Sequence, residues 1–158
     1  NLGDRYRNVI GIFMNQIMHG EPLTVFGDGA QTRAFSYVDD VAPEIARSVD
    51  VPAAYRQIIN IGADTPHSVN QLAEVVGDAF GVAPQMKYLP ARNEAVHAFS
   101  DHACARRVFG KRKPVTLEQG MRLMAAWAKR VGARQSKSFD AVEVTKNLPP
   151  SWAVKPGK

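Results

Sequence analysis

The sequence contains one cysteine, Cys104, in 158 residues. That excludes an internal disulfide framework, and a lone thiol suits a reducing cytoplasm. No run of 18 or more apolar residues is present, so no segment reads as a membrane-spanning helix. The first residues include Asn1, Asp4, Arg5 and Arg7 in place of an apolar stretch, so no secretory leader is legible and a cytoplasmic location is expected. No internal repeat is found, which argues against a solenoid. His97, His102 and Cys104 form the one close grouping of soft metal ligands, and without a second cysteine they make no closed zinc set.

What is present fits one domain of ordinary size, with 45% apolar residues available for a core. The formal charge of +5 raises the question of nucleic acid, but its distribution argues against a phosphate-binding groove. From Arg134 onward Arg134, Lys137, Lys146, Lys155 and Lys158 outweigh Asp140 and Glu143 by three, leaving a body of only +2. The division expected is a folded domain over 1–132 and a polar, basic, loosely held tail over 133–158, which carries Pro149, Pro150 and Pro156.

Periodicity predicts short alternating elements. Val9, Ile12, Phe13 and Ile17 share one helical face, and Gly20 stops that helix. Leu23 to Phe26 reads as a strand, with a tight turn at Gly27-Asp28-Gly29 that Asp28 shapes. Phe35 to Val38 is expected to be extended, with Asp39 as N-cap of a helix using Val41, Ile45, Ala46 and Val49. Gln57 to Ile61 reads as a buried strand closed by Gly62. Ser68 with Gln71, and Thr116 with Gln119, have capping-box spacing at the starts of two further helices, which end at Gly81 and Gly132. Met86 to Leu89 and Ala98-Phe99 read as short strands, and a short helix runs through Ala105 and Val108 to Gly110. Met14, Met18, Met121 and Met124 are placed for packing, as is Trp127.

One stretch is more specific than these patterns. Gly20-Glu21-Pro22-Leu23-Thr24-Val25-Phe26-Gly27-Asp28-Gly29, then Gln31-Thr32-Arg33, then Tyr37-Val38-Asp39-Asp40-Val41-Ala42, resembles the signature of extended short-chain dehydrogenases that act on nucleotide sugars. This is the NAD-dependent epimerase/dehydratase family, with UDP-glucose 4-epimerase as the type. Asn60-Ile61-Gly62, Leu89-Pro90-Ala91-Arg92 and Leu117-Glu118-Gln119-Gly120 with Trp127 resemble further family segments in the same order. The resemblance covers about residues 1 to 131.

The resemblance implies a mixed α/β fold, the C-terminal substrate-binding lobe of an extended short-chain dehydrogenase, with short strands and about five helices and without the N-terminal Rossmann domain. It implies a nucleotide sugar, a UDP-sugar above all, as ligand. Arg33 and Arg92 match the family's two diphosphate-clamping arginines, whose planar fork fits phosphate oxygens in a way lysine does not. Val25 and Phe26 match the strand against the nucleobase, and Phe35 matches an aromatic beside phosphates and ribose. Two positions depart from the pattern. Ala34 replaces an aspartate, and Glu94-Ala95 replaces a Gly-Asp whose aspartate touches the ribose, with Glu94 placed to substitute.

The family's redox machinery is not legible in these residues. Gly27-Asp28-Gly29 is followed by Ala30, Gln31 and Thr32, without the third glycine of a dinucleotide fingerprint. Tyr6, Tyr37, Tyr55 and Tyr88 are followed four positions later by Ile10, Val41, Ile59 and Arg92, so no Tyr-x-x-x-Lys acid/base pair exists. The expectation is a piece of a longer enzyme whose missing N-terminal domain binds NAD, with no catalytic residue, no NAD bound and no activity in this chain alone. A homodimer through exposed apolar surface is also expected. The alternatives are a stand-alone nucleotide-sugar-binding or protein-interaction module and, less favoured, a basic nucleic-acid-binding domain. The reading frame upstream of Asn1 separates the first two.

Overall fold

The structure is a computed structural model and describes residues 2–4 and 7–135. Ten elements run in the order α1 (Val9–Met18), β1 (Leu23–Phe26), β2 (Thr32–Ala34), α2 (Val38–Arg47), β3 (Pro66–Ser68), α3 (Val69–Phe80), β4 (Met86–Leu89), β5 (His97–Ala98), α4 (Ala103–Phe109) and α5 (Leu117–Val131). A single 3-10 turn, Pro52–Ala54, follows α2. The expected mixed α/β class with five helices is what these residues form.

Two small sheets organise the described residues. In one, β1 pairs with β4 in parallel, Leu23 opposite Met86 and Phe26 opposite Leu89. In the other, β2 lies between β3, antiparallel to it, and β5, parallel to it. Helices α3 and α5 pack most extensively on one another, and α1 packs on both. The core lies among these three helices and β1: Phe13, Met14, Leu23, Val25, Leu72, Val76, Met121, Ala125 and Ala128 are all buried. Met18 and Met124 pack at its edge. Trp127 stays 40% exposed, so it is less of an anchor than its position predicted.

Local chemistry explains the helix limits. Both capping boxes form: Ser68 Oγ accepts from Gln71 N at 3.1 Å, and Thr116 Oγ1 accepts from Gln119 N at 3.3 Å. Each satisfies amide groups that a helix start leaves without intrahelical partners. Gly81 closes α3 in the left-handed region at φ 77°. Gly29 is the most constrained glycine. Its φ is +75°, and a Cβ there would fall on the Asn70 side-chain amide, which donates to Asp28 O at 2.9 Å. Asp28 Oδ1 accepts from Ala30 N, as its turn-shaping position predicted.

Four expectations are corrected. Asp39 is not the N-cap of α2; Tyr37 is, with no side-chain cap bond, and Asp39 and Asp40 both sit in the first turn. There Asp40 Oδ2 accepts from Val115 N at 2.8 Å, which anchors the segment leading into α5. The buried residue of α2 is Glu44, 4% exposed, while Ile45 and Val49 face outward. Arg112 Nη1 meets Glu44 Oε1 at 2.8 Å and Arg47 Nη1 meets Oε2 at 3.0 Å, so two guanidinium groups compensate the buried carboxylate. The extended segment is Thr32–Ala34, not Phe35 to Val38, because the pairing groups of β3 and β5 lie opposite 32 to 34.

The fourth correction is the strand expected over 57 to 61. No strand forms there, and Ile58 is 95% exposed. A strand needs a neighbour for its amide and carbonyl groups, and neither sheet of the described residues extends beside this segment.

Replacing Leu72, fully buried between α3 and its partners, with alanine should lower unfolding free energy by about 2–5 kcal/mol. Urea denaturation checks this: a loss well under 1 kcal/mol would mean that the three-helix core is not where stability resides.

Candidate functional site

A cleft of about 750 Å³ opens along α1 and the strand ends. Its lining includes Thr24, Phe26, Gln31, Arg33, Leu89, Arg92 and Glu94. The register of β1 on β4 builds this side of it. Phe26 ends β1 opposite Leu89, so the residues that follow β4 come directly beside the Phe26 ring. Gly27 N donates to Leu89 O at 2.9 Å and continues the pairing into the turn. Gln31 Nε2 then donates to Phe26 O, which fixes the return of the chain toward β2.

Arg92 lies over Phe26, its guanidinium carbon 3.4 Å from the ring centroid. Stacking of this kind contributes about 0.5–2 kcal/mol and leaves the edge of the guanidinium plane directed at other groups. Burial pushes the Arg92 pKa below its ordinary value, and the nearby Glu94 charge acts in the opposite sense.

Arg33 stands in the middle strand of the three-stranded sheet. Its Nη1 donates to Thr32 O at 2.8 Å and Val96 O at 3.2 Å, and its Nη2 meets Glu94 Oε2 at 3.1 Å. Two backbone carbonyls hold the guanidinium in one orientation. Glu94 supplies the countercharge and is itself turned back by its own amide donating to Arg92 O at 3.0 Å. Thus Arg33, Arg92 and Glu94, read separately from the sequence, form one ionic group beside Phe26.

Two sequence-predicted residues stand elsewhere. The Val25 side chain, 1% exposed, belongs to the core; its strand neighbours Thr24 and Phe26 face the cleft. Phe35 packs against the core and is outside the cleft lining. The alternation of a strand accounts for the first result, since successive side chains leave opposite faces.

The sequence reading missed the far wall. Asn8, Val9, Ile12 and Gln16 of the α1 region line the cleft, and so do Arg134 and Gln135. Gln16 Nε2 donates to Thr24 Oγ1 at 3.0 Å, and Gln16 Oε1 accepts from Thr24 N, which ties α1 to β1 across the floor. The placement of Arg134 depends on contacts far apart in sequence, and no local signal announces it. Of the tail expected over 133–158, residues from 136 on lie outside the described residues.

The Gly27-Asp28-Gly29 turn does not open a helix. After Gly27-Asp28-Gly29 the chain enters the strand β2. A pyrophosphate cradle instead needs a helix N-terminus following the glycine turn. Among the described residues no group of three or more His, Cys, Asp or Glu side chains converges as a metal site, and no helix is long and apolar enough to cross a membrane.

A second polar cluster lies apart from the cleft lining. His102, buried, meets Asp64 Oδ1 through Nδ1 at 2.7 Å and Ser100 Oγ through Nε2 at 3.0 Å. Arg106 Nη1 donates to Asp64 Oδ2 at 3.1 Å. The His102 hydrogen bond first, and the Arg106 charge after it, hold the Asp64 carboxyl below its ordinary value of 3.8. The cluster ties the loop after Gly62 to α4.

Comparison with known proteins converges on one family. The family model described as Epimerase, the NAD dependent epimerase/dehydratase family, matches residues 2–62. The UDP-glucuronate 4-epimerase of Thermodesulfobacterium geofontis is 30% identical over 119 residues, 74% of this chain and 36% of that protein. Among solved structures, an epimerase of the methanogen Methanothermobacter thermautotrophicus superposes with a TM-score of 0.76 at 26% identity, covering 80% of this chain and 38% of that one. UDP-glucose 4-epimerase from Thermotoga maritima, solved with UDP-glucose, gives 0.69 at 28% identity, covering 82% and 42%. The fold is therefore shared with about two fifths of each of these epimerase structures. The chain belongs to the NAD-dependent epimerase/dehydratase family, and it spans about two fifths of the length of the relatives it matches.

The Asp64 geometry sets a pH dependence. A carboxyl whose folded pKa is depressed stabilises above its unfolded value and loses that contribution as pH falls through the folded one. Amide exchange in α4 should therefore accelerate below about pH 4 relative to α3, and Asp64→Asn should remove most of this acid-dependent difference. Equal acid sensitivity of α4 in both proteins would show that Asp64 does not hold it.

Proposed function

We propose that this chain is the nucleotide-sugar-binding portion of an NAD-dependent nucleotide-sugar epimerase or dehydratase, similar to UDP-glucose 4-epimerase and catalytically incomplete by itself. The observation that carries this reading is the grouping of Arg33 and Arg92 beside Phe26 on one cleft. Two guanidinium groups match the charge of a diphosphate bridge, and charge-assisted bonds of this kind contribute about 1.5–3 kcal/mol each. The Phe26 ring and the adjoining strand offer an apolar face to a uracil. The UDP-glucose in the Thermotoga relative supports a UDP-sugar as the ligand class.

Glu94 refines the reading. It pairs with Arg33 at 3.1 Å, and a ligand phosphate would compete for the same donors. Once displaced, its carboxylate is placed to accept from a ribose hydroxyl, the role that the absent aspartate leaves open. The lone thiol supports a cytoplasmic setting.

The NAD-binding portion is the partner this reading requires. Val38, Ile45 and Val49 share one face of α2 and its exit, and all three are exposed. With Ile58, 95% exposed, they supply apolar surface for that partner to cover. In its absence the same surface drives self-association of the isolated chain.

Calorimetric titration with UDP-glucose tests the clamp. Arg33→Ala should weaken binding by about 10-fold to 100-fold, the equivalent of one charge-assisted contact. Glu94→Gln should weaken it also, by a smaller factor, if the carboxylate meets the ribose. Unchanged affinity in Arg33→Ala removes Arg33 from the site, and tighter binding in Glu94→Gln leaves Glu94 as a competitor only.

Light scattering tests the exposed face. A dimer that dissociates on Ile45→Asp is the expected result; a monomer at tens of micromolar contradicts the self-association reading.

A further inference from the structure

The segment leaving α5 closes over the ligand cleft and is held there by one side chain. Gly132, at φ 75°, ends α5 and redirects the chain. Two residues later the backbone of Arg134 meets Asn15 of α1. Asn15 Oδ1 accepts from Arg134 N at 2.8 Å, and Asn15 Nδ2 donates to Arg134 O at 2.9 Å. Asn15 is 7% exposed, so a primary amide is buried with its two hydrogen-bonding ends engaged on a single residue 119 positions away. An amide used in this way fixes both the position and the direction of the segment.

The consequence for Arg134 is specific. Its backbone is pinned, its side chain is exposed, and it lines the same cleft as Arg33 and Arg92. No carboxylate lies within ion-pair distance of its guanidinium among the described residues. Arg33, by contrast, already carries Glu94.

We infer that Arg134 is a third ligand-binding cation of this site, positioned by Asn15 to meet the anionic bridge of the ligand from the wall opposite β1. The inference rests on the nucleotide-sugar reading given above for the identity of the ligand. The pinned backbone removes the cost of ordering the loop on binding, so that only the Arg134 side-chain rotamers remain to be fixed. Asn15 is then a positioning residue, acting through the segment it holds.

The experiment is a calorimetric comparison of the full chain with its Arg134→Gln, Asn15→Ala and Arg33→Ala variants, titrated with UDP-glucose and with pyrophosphate. Circular dichroism establishes that each variant is folded. Arg134→Gln changes an exposed side chain and should fold as the parent does; it decides the question if Asn15→Ala does not fold. The expected result is a 5-fold to 20-fold weakening by Arg134→Gln for both ligands. Asn15→Ala should give a comparable weakening although Arg134 is retained, together with faster amide exchange at Arg134. If Arg33→Ala weakens binding and Arg134→Gln does not, the inference fails and the nucleotide-sugar reading stands. If Arg134→Gln weakens binding of both ligands and Arg33→Ala does not, Arg134 is an anion contact and the family clamp at Arg33 fails. Absence of binding by both ligands to the parent chain overturns both.

Discussion

The parallel pairing of β1 with β4 is the constraint from which the site follows. Parallel strands cannot be joined by a tight turn, so a crossover must separate them. Here that crossover is long and holds β2, α2, β3 and α3. Because β4 enters the pairing at Met86 and leaves at Leu89, Arg92 arrives over Phe26. Because β5 follows soon after and pairs with β2, Glu94 and the carbonyl of Val96 arrive beside Arg33. A slip of one residue between β1 and β4 would exchange the faces of Val25 and Phe26, placing an aromatic in the core and a valine beneath the guanidinium.

The electrostatics of the chain are settled by local compensation. Glu44 is buried against two arginines, Asp64 is shared by His102 and Arg106, and Glu94 answers Arg33. In the first case the compensation secures packing, since a buried carboxylate without a partner would cost several kcal/mol. In the last, the pair is partly exposed and weak enough to exchange with a ligand. The same kind of ion pair therefore serves structure in one place and recognition in another, with burial setting the difference.

Much of this was legible in the sequence where the signal is local. Capping boxes at Ser68 and Thr116, the stop at Gly81 and the turn at Gly27-Asp28-Gly29 depend on neighbours within a few residues, and each formed as read. Arg33 and Arg92 stood out because they match a family signature, and Glu94 because it departs from one; their mutual contact was not legible, since it depends on the register of two sheets. The failures share a cause. Gln57 to Ile61 has the composition of a buried strand but no neighbour among the described residues, and Val38 and Ile45 of α2 face outward. In both places the apolar pattern is real but nothing among the described residues covers it. Asn15 and Arg134 were missed for the opposite reason: neither stands in a motif, and only the folded chain makes them adjacent.

The Asn15–Arg134 contact also bears on the order in which the molecule assembles. A bond spanning 119 positions gains nothing until nearly everything between its ends has folded, because the entropy of closing so long a loop must already have been met by earlier contacts. Such a bond is expected to form late, with a φ-value near zero. Its strength is therefore expressed in how slowly the native protein opens, and hardly at all in how fast it forms. The wall of the cleft built on it is thus expected to be among the later parts of the described residues to close.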